Sequence, residues 1–301
     1  MTTFSLGVNN CFAVKRWPEP AAWAAIVKND LGLDLIQHSL DLVDLDTSTE
    51  GLLEQANDVR SACDQRGLSI DSTFTGLAAY SSNLLLAPSA SARDRALAWY
   101  KRGVQFTAAL GAKGTGGHVG AYSVSDFRNL ARRAELETLL EESLAELARY
   151  ARELGLDYLL VENLATAREP SSMEGITRLL RAGDDAHVPI QLCLDVGHQC
   201  VFGSSDDERD PYVWLETMSP VAPVIQLQQS DAEGDHHWPF TERANALGRI
   251  DASRVLDAIA RSGANEVSLI LEVIPSFEAN DDDVLADMVA SAEYWRRALA
   301  G

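Results

Sequence analysis

Residues 155–163, GLDYLLVEN, carry the pattern that decides the fold of this chain. Gly155 follows a long helical run and suits the left-handed backbone conformation that commonly ends a helix. The short apolar stretch after it ends in two polar residues, Glu162 and Asn163, which is typical of a buried strand whose carboxyl end faces a site. The segment therefore predicts one helix–loop–strand unit of an α/β protein.

The same unit recurs along the chain, because Gly67, Gly111 and Gly263 also follow helical runs and precede strand-like segments. The eight predicted strands cover 4–9, 33–38, 69–74, 112–118, 156–163, 189–196, 224–231 and 267–274. Eight such units in 301 residues favour a single (β/α)8 barrel domain over 1–301, since these barrels often exceed ~250 residues. A doubly wound open sheet is the alternative fold.

Two helix starts have the spacing of a capping box, in which a hydroxyl and a carboxylate satisfy free backbone N–H groups. The pairs are Thr47 with Glu50 and Ser171 with Glu174. We therefore expect Thr47 and Ser171 to cap helices. The fourth predicted strand contains several glycines, which have poor β propensity.

Composition and charge exclude several classes of function. The chain has 25 basic and 45 acidic residues, and a formal net charge of −20 repels nucleic acids and anionic membranes. No apolar stretch approaches the ~18 residues that span a bilayer, and the N-terminal segment lacks the features of a signal peptide. We expect a cytoplasmic enzyme with free thiols and with no nucleic-acid or membrane partner; formation of a homo-oligomer stays open.

Polar side chains stand at the carboxyl ends of strands five to eight: Glu162, Asp195, Gln228 and Glu272. Side chains alternate across a strand, and the apolar neighbours of these four residues must then face the helices. Three carboxylates at one point repel one another unless a cation lies among them, and an all-oxygen set suits Mg²⁺ or Mn²⁺. The pattern predicts one divalent metal ion held by these four residues; scattered capping or salt-bridge roles are the alternative.

Histidines near the predicted strand ends are candidates for contact with a substrate. His198 follows Asp195 by three residues and is expected to hydrogen-bond a developing oxyanion, while His118 and His38 end strands four and two. His187, at the opposite end of the barrel, is expected to be structural. Phosphate groups in barrels often lie at the loops after strands seven and eight, which adds three candidates: His236, His237 and Arg243.

The order Glu162, Asp-x-x-His (195–198), Gln-x-x-Asp (228–231) and Glu272 resembles the xylose isomerase-like barrel superfamily. That superfamily includes sugar phosphate isomerases and epimerases, ketose 3-epimerases and hydroxypyruvate isomerases. The matching segments are LLVEN (159–163), CLDVGH (193–198), LQQSD (227–231) and LILEV (269–273), with further similarity over 83–120. Many relatives have histidine where this chain has Gln228, although the hydroxypyruvate isomerase branch is similar in having glutamine.

The resemblance implies that Glu162 and Glu272 lie on opposite faces of a sugar, where one removes a carbon-bound proton and the other returns it. A divalent ion then stabilises the enediolate. A narrower resemblance to the tetrulose phosphate racemases of erythritol catabolism covers 37–46, 72–86 and 228–241, and it favours a tetrulose phosphate substrate. A free ketose 3-epimerase, a hydroxypyruvate-type isomerase, a metal-dependent dehydratase or lyase, and a non-catalytic sugar-binding barrel remain alternatives.

Overall fold

The computed structural model describes residues 2–183, 188–201, 203 and 205–301, and its eight parallel strands close into a barrel in chain order. The strands are β1 (Thr3–Asn9), β2 (Leu35–Ser39), β3 (Ser69–Phe74), β4 (Gly114–Gly117), β5 (Tyr158–Glu162), β6 (Ile190–Asp195), β7 (Val224–Leu227) and β8 (Glu266–Leu271). The closed barrel confirms the predicted (β/α)8 fold and excludes the doubly wound sheet. The single-domain boundary stays a prediction.

Helices surround the described barrel and cover its outer face. They are α1 (Pro20–Ala25), α2 (Thr49–Asp64), α3 (Ala90–Leu110), α4 (Val124–Arg128), α5 (Leu130–Glu153), α6 (Met173–Arg181), α7 (Pro211–Met218), α8 (Glu242–Leu247), α9 (Ala252–Ser262) and α10 (Asp281–Leu299). Three fully buried tryptophans, Trp23, Trp214 and Trp295, pack with the outward aliphatic side chains of the strands. The helix–sheet layer therefore holds the main core.

The alternation of side chains along the strands follows the predicted parity. In β6, Leu192 and Leu194 pack outward in the helix–sheet core, whereas Cys193 belongs to a separate cluster inside the barrel. That inner cluster consists of Phe74, Tyr158, Leu160, Cys193, Val224 and Ile270. It fills the barrel below the carboxyl ends of the strands, so the polar side chains above it rest on an apolar floor.

Helix ends agree with the sequence at the C-termini but differ by one residue at two N-termini. Gly67, Gly111, Gly155 and Gly263 all have positive φ, between 65° and 83°, as predicted. The predicted caps Thr47 and Ser171 are wrong. Ser48 accepts a hydrogen bond from Gly51 N, and Ser172 accepts one from Gly175 N. In each pair of adjacent hydroxyl residues, the second one reaches the free N–H group.

Strand β7 is shorter than predicted, and this shapes the mouth of the barrel. The sheet ends at Leu227, and the chain then folds back so that Gln229 forms an isolated antiparallel bridge with Trp238. Gln228 therefore lies just above the sheet, beside a loop that returns over the barrel. The predicted strand over 224–231 is correct only for its first half.

Among the described residues, no helix combines the length and apolar content that crossing a bilayer requires. All four cysteines are free and buried, in line with the expectation of core thiols. His187, which was expected to be structural, lies outside the described residues.

Gly116 in β4 should be one of the positions least tolerant of a side chain. Its φ is 152°, and an added Cβ would lie 1.9 Å from the carbonyl oxygen of Leu160. We expect Gly116→Ala to lower the free energy of unfolding by about 3–5 kcal/mol in urea denaturation, through steric overlap and strain. Gly111→Ala is the matched control, because Gly111 has φ 75° and open space around it. It should cost only about 1–2 kcal/mol. Equal costs would show that the contact with Leu160 does not constrain β4.

Candidate active site

Three carboxylates meet at the carboxyl ends of the strands, in the mouth of the barrel. Glu162 ends β5, Asp195 ends β6 and Glu272 directly follows β8. Their side chains are 0%, 0% and 3% exposed, and one oxygen from each lies within 4.8 Å of the others. The geometry is that of a candidate metal-ligand cluster.

Each carboxylate is held through one oxygen. Glu272 Oε1 accepts hydrogen bonds of 2.8 Å from both Asn9 Nδ2 and Gln226 Nε2. Asp195 Oδ1 accepts from the backbone N–H groups of Gly197 and His198, at 2.7 and 2.9 Å. These donors fix the orientation of both groups.

The second oxygen of each carboxylate has no hydrogen-bond partner: Glu162 Oε1, Asp195 Oδ2 and Glu272 Oε2. Buried polar atoms are normally satisfied, and three unsatisfied carboxylate oxygens in one cluster are costly. A hard divalent cation prefers such oxygen donors. The residues present therefore fit a divalent ion in their chemistry.

The electrostatics of the cluster favour the same conclusion. Burial raises the pKa of Glu162 well above its usual range, and Glu272 and Asp195 add to this while His198 opposes it. Burial also raises the pKa of Glu272, with Asp195 as the next cause. Both shifts express the cost of holding like charges in a buried site without a cation.

Gln228 lies beside the cluster, but it turns its amide nitrogen toward it. Its Nε2 donates to Asp195 Oδ1 at 3.0 Å, and its Oε1 accepts from His237 N at 2.8 Å. An added Cβ on Gly197 would lie 2.3 Å from the Gln228 amide carbon, so glycine is required there for the side chain to pass. Gln228 could act as an oxygen ligand only after its amide rotates.

A second group of polar side chains adjoins the carboxylates. Asp235 reaches in from the loop after β7, and its carboxylate lies 3.2 Å from His198 Nε2 and 3.3 Å from His237 Nε2. Burial alone would lower the pKa of His198, but Asp195 and Asp235 raise it well above its usual range. Burial would raise the pKa of Asp235, but the two histidines hold it below its usual range. Asp195, His198 and His237 also form a candidate metal-ligand group.

His118 and Tyr80 form one wall of the site. Their rings stack with centroids 4.8 Å apart and an interplanar angle of 9°. His118 is fully buried, and neither of its ring nitrogens has a hydrogen-bond partner. Burial, and then the charge on His198, lower the pKa of His118 to about 4. His118 is therefore a neutral ring with unused donor and acceptor capacity.

His38 does not reach the site, contrary to expectation. It lies on the outer face of β2. The centroid of its ring is 5.6 Å from the ring centroid of Trp23 and 5.6 Å from that of Phe106, both on surrounding helices. The inward position in β2 belongs to Gln37, which donates to Ser72 and accepts from Asn9. Side-chain alternation explains the difference, because residues 37 and 38 must face opposite sides.

The expected phosphate cluster after strand seven is only partly assembled. His237 faces the carboxylates, but His236 stacks on Trp238 with a centroid distance of 3.9 Å and contacts Asp231. Arg243 is exposed on α8 and lines a different depression from the two histidines. Arg243 therefore does not lie with the two histidines, contrary to the prediction.

Several polar residues of the site were missed by sequence analysis: Asn9, Gln37, Tyr80 and Asp235. Asn9 and Gln37 could have been found from alternation, since Asn9 ends β1 and Gln37 lies two residues before the end of β2, both on the inward parity. Tyr80 and Asp235 lie in loops, where no periodic signal indicates which side chain turns inward. The contacts that place them are long-range.

The fold and the acidic mouth of the barrel define a class of α/β-barrel enzyme with a site at the carboxyl ends of the strands. A family model described as the xylose isomerase-like TIM barrel matches residues 26–297. The chain belongs to this family.

Individual relatives agree with this assignment. The chain is 28% identical over 298 residues to the D-erythrulose 1-phosphate 3-epimerase of Brucella abortus (strain 2308), covering 97% of this chain and 95% of that protein. A provisionally named xylose isomerase from Rhodospirillum rubrum ATCC 11170 is 36% identical, with a TM-score of 0.91 over 98% of this chain and 99% of that one.

A more distant structure shares only the fold. D-psicose 3-epimerase from Clostridium cellulolyticum H10 has a TM-score of 0.72 and 16% identity, over 98% of this chain and 99% of that one. The family and its curated relative confirm the predicted class of enzyme, an isomerase or epimerase. The expectations of a homo-oligomer and of a cytoplasmic location stay predictions.

The buried carboxylates should make the chelator-treated protein less stable as pH rises. Because folding raises the pKa of Glu162 from its ordinary value of 4.5, the folded state binds protons more tightly than the unfolded state. Unfolding free energy should then fall as pH increases above that value.

Glu162→Gln should remove part of the decrease in unfolding free energy with rising pH. In urea denaturation with EDTA at pH 8, we expect the variant to exceed wild type by at least ~1 kcal/mol, since one pKa unit corresponds to about 1.4 kcal/mol. The gain should shrink toward pH 5. Glu146→Gln, at a surface pair with Lys101, is the control and should show neither effect. A Glu162→Gln protein less stable than wild type at pH 8 contradicts the prediction.

Proposed function

We propose that this protein is a divalent-metal-dependent epimerase or isomerase that moves a carbon-bound proton of a small ketose phosphate. The observation that carries the proposal is the set of three buried carboxylates, each with one oxygen that lacks a hydrogen-bond partner. Mn²⁺ or Mg²⁺ suits such an oxygen-rich set better than zinc does.

Glu162, Asp195 and Glu272 would hold the ion, each through its unsatisfied oxygen. Gln228 is the fourth proposed ligand and would offer Oε1 after rotation of its amide. When bound, the ion supplies positive charge to the substrate oxygens and so stabilises an enediolate.

In the proposed reaction, Glu162 and Glu272 act as a pair that transfers a proton. One carboxylate removes the proton from the carbon beside the carbonyl, and the other delivers a proton. Delivery to the opposite face of the same carbon epimerises it, whereas delivery to the neighbouring carbon isomerises the sugar. Both glutamates are suited to this role by their position, because they lie buried in the same mouth of the barrel, within the cluster that would hold the ion.

Two histidines would bind substrate oxygens. His118 has both ring nitrogens without partners, at the wall of the same site. The Nδ1 of His198 donates to Asn163 O at 2.7 Å, which directs Nε2 toward Asp235. A sugar hydroxyl that displaces Asp235 would meet a donor there.

The proposed substrate is a tetrulose phosphate, by similarity to the Brucella relative, which is named for D-erythrulose 1-phosphate. A cavity of about 620 Å³ opens beside His237 and is lined in part by His236, Trp238 and Phe277. The Lys15 ammonium lies 4.1 Å from the centre of the Phe277 ring. This cavity is the proposed place for the phosphate end, with Lys15 as the candidate cation and His236 as a candidate hydrogen-bond donor. Asp283 and Asp287 line the same cavity and oppose an anion there.

Proton exchange tests the function directly. Erythrulose phosphate, free erythrulose, fructose and psicose are incubated with the protein and Mn²⁺ in D2O and followed by NMR. We expect deuterium beside the carbonyl together with formation of an epimer or isomer. The phosphate ester should be favoured by at least ~10-fold in kcat/KM, since a charge-assisted contact is worth one such factor or more.

Each other outcome of that experiment identifies an alternative. Equal or better activity on the free sugars would move the enzyme to the ketose 3-epimerases. Loss of water from the substrate would identify a dehydratase or lyase. Binding without any exchange would indicate a non-catalytic sugar-binding barrel.

Metal binding is tested by calorimetric titration of the chelator-treated protein with Mn²⁺. We expect one site, and we expect Glu162→Gln, Asp195→Asn and Glu272→Gln each to weaken it by at least ~10- to 100-fold. Glu146→Gln should bind as wild type does. Unaltered Mn²⁺ affinity in all three site variants would remove the carboxylate cluster as the metal site.

Glu272→Gln should also lower kcat by at least ~100-fold at saturating Mn²⁺, because an amide cannot transfer the proton. Working at saturating metal separates this effect from weaker metal binding. A near-normal kcat under those conditions would exclude Glu272 from proton transfer.

A further inference from the structure

The loop after β3, residues 75–86, carries Tyr80 into the site. Tyr80 donates a hydrogen bond of 2.5 Å from its hydroxyl to Glu162 Oε2, and its ring stacks on His118. One loop residue therefore contacts both a carboxylate of the cluster and a neighbouring histidine.

The loop is anchored by a separate set of contacts. Asp41 accepts hydrogen bonds from the backbone N–H groups of Leu77 and Ala78, at 2.5 and 3.0 Å. Gly76 has φ 75°, and an added Cβ would lie 2.5 Å from the Asp41 carboxylate, so a side chain there would displace the anchor. These contacts hold the first turn of the loop, from which Tyr80 projects.

The tyrosine determines which oxygen of Glu162 is free. A carboxylate can rotate about its terminal bond and exchange its two oxygens. With Oε2 engaged by the phenol, Oε1 is the unsatisfied oxygen, and it lies 3.5 Å from His198 Nδ1. No other side chain of the described residues donates a hydrogen bond to Glu162 within normal geometry.

We propose that Tyr80 is a positioning residue for the reaction: its hydroxyl holds Glu162 with Oε1 toward the interior of the site, where the ion and the substrate would lie, and its ring holds His118 in place. The inference rests on the proposed function and deepens it, since it names what orients the proton-transferring carboxylate. It separates two contributions of one side chain, the hydroxyl acting on kcat and the ring acting on substrate binding.

Two variants of Tyr80 separate these contributions. Tyr80→Phe keeps the ring and removes the hydroxyl, whereas Tyr80→Leu removes both. Tyr150→Phe is the matched control, because the Tyr150 hydroxyl also forms a short hydrogen bond, 2.6 Å from Gln105 Nε2, on helix α5 away from the site. For each protein we would measure kcat and KM at saturating Mn²⁺, the Mn²⁺ Kd and the Tm.

For Tyr80→Phe we expect kcat to fall about 10- to 100-fold, the effect of losing a hydrogen bond to a charged group. KM and Mn²⁺ Kd should stay within about threefold of wild type, and Tm should be nearly unchanged. Tyr80→Leu should show the same loss in kcat and, in addition, a KM raised about tenfold or more, because His118 loses its stacking partner. Tyr150→Phe should match wild type.

Three results would overturn the inference. The first is a Tyr80→Phe protein with kcat within about twofold of wild type. The second is a fall in kcat that comes with weakened Mn²⁺ binding or a lowered Tm, which would make Tyr80 a structural residue. The third is a Tyr80→Leu protein with normal KM.

A measurement that does not depend on catalytic turnover separates the test of Tyr80 from the test of the proposed function. Crystal structures of Tyr80→Phe and wild type show whether the Glu162 carboxylate changes its orientation. A rotated or disordered carboxylate supports the positioning role even if wild type acts on no sugar in the panel, and an unchanged carboxylate overturns it. Inactivity of wild type on the panel counts against the proposed function alone.

Discussion

Repulsion among three buried carboxylates is the constraint on which the rest of this site depends. Glu162, Asp195 and Glu272 lie buried together in the barrel mouth, where charge is weakly screened. The surroundings supply neutral donors to one oxygen of each group, from amide side chains, backbone N–H groups and a phenol. These donors orient the carboxylates without cancelling their charge, so the other three oxygens remain available to a cation.

The barrel brings these groups together at low conformational cost. Neighbouring parallel strands end at the same edge, and alternation turns every second side chain inward. Below the carboxylates lies an apolar floor that includes Leu160, Cys193 and Ile270. The strand order places the backbones that carry these carboxylates at one edge of the barrel despite their mutual repulsion.

The sequence predicts whatever depends on periodicity. Alternation correctly puts Glu162, Asp195 and Glu272 on one side, and the C-terminal glycines mark the helix ends. Applied to β2, the same rule would have turned His38 outward. The prediction that His38 contacts a substrate was wrong because it considered only that His38 lies near the end of the strand and not which side of the sheet it faces. The loop residues of the site could not be predicted from the sequence for a different reason. Tyr80 meets Glu162 across 82 positions of the chain, and no local pattern encodes such a contact.

Charge balance links the histidines and Asp235 to the carboxylate cluster. The site holds four carboxylates, counting Asp235, and two histidines whose pKa is raised by them. With both histidines charged and all four carboxylates ionised, the formal sum is −4 + 2 = −2, and the proposed divalent cation would bring it to zero. With one glutamate protonated for proton delivery, the sum would be +1. A site neutral in this way does not repel an anionic substrate. The remaining negative charge of the protein is spread over its surface, where salt screens it beyond ~8 Å. The overall charge of −20 is therefore compatible with a phosphorylated substrate at this site.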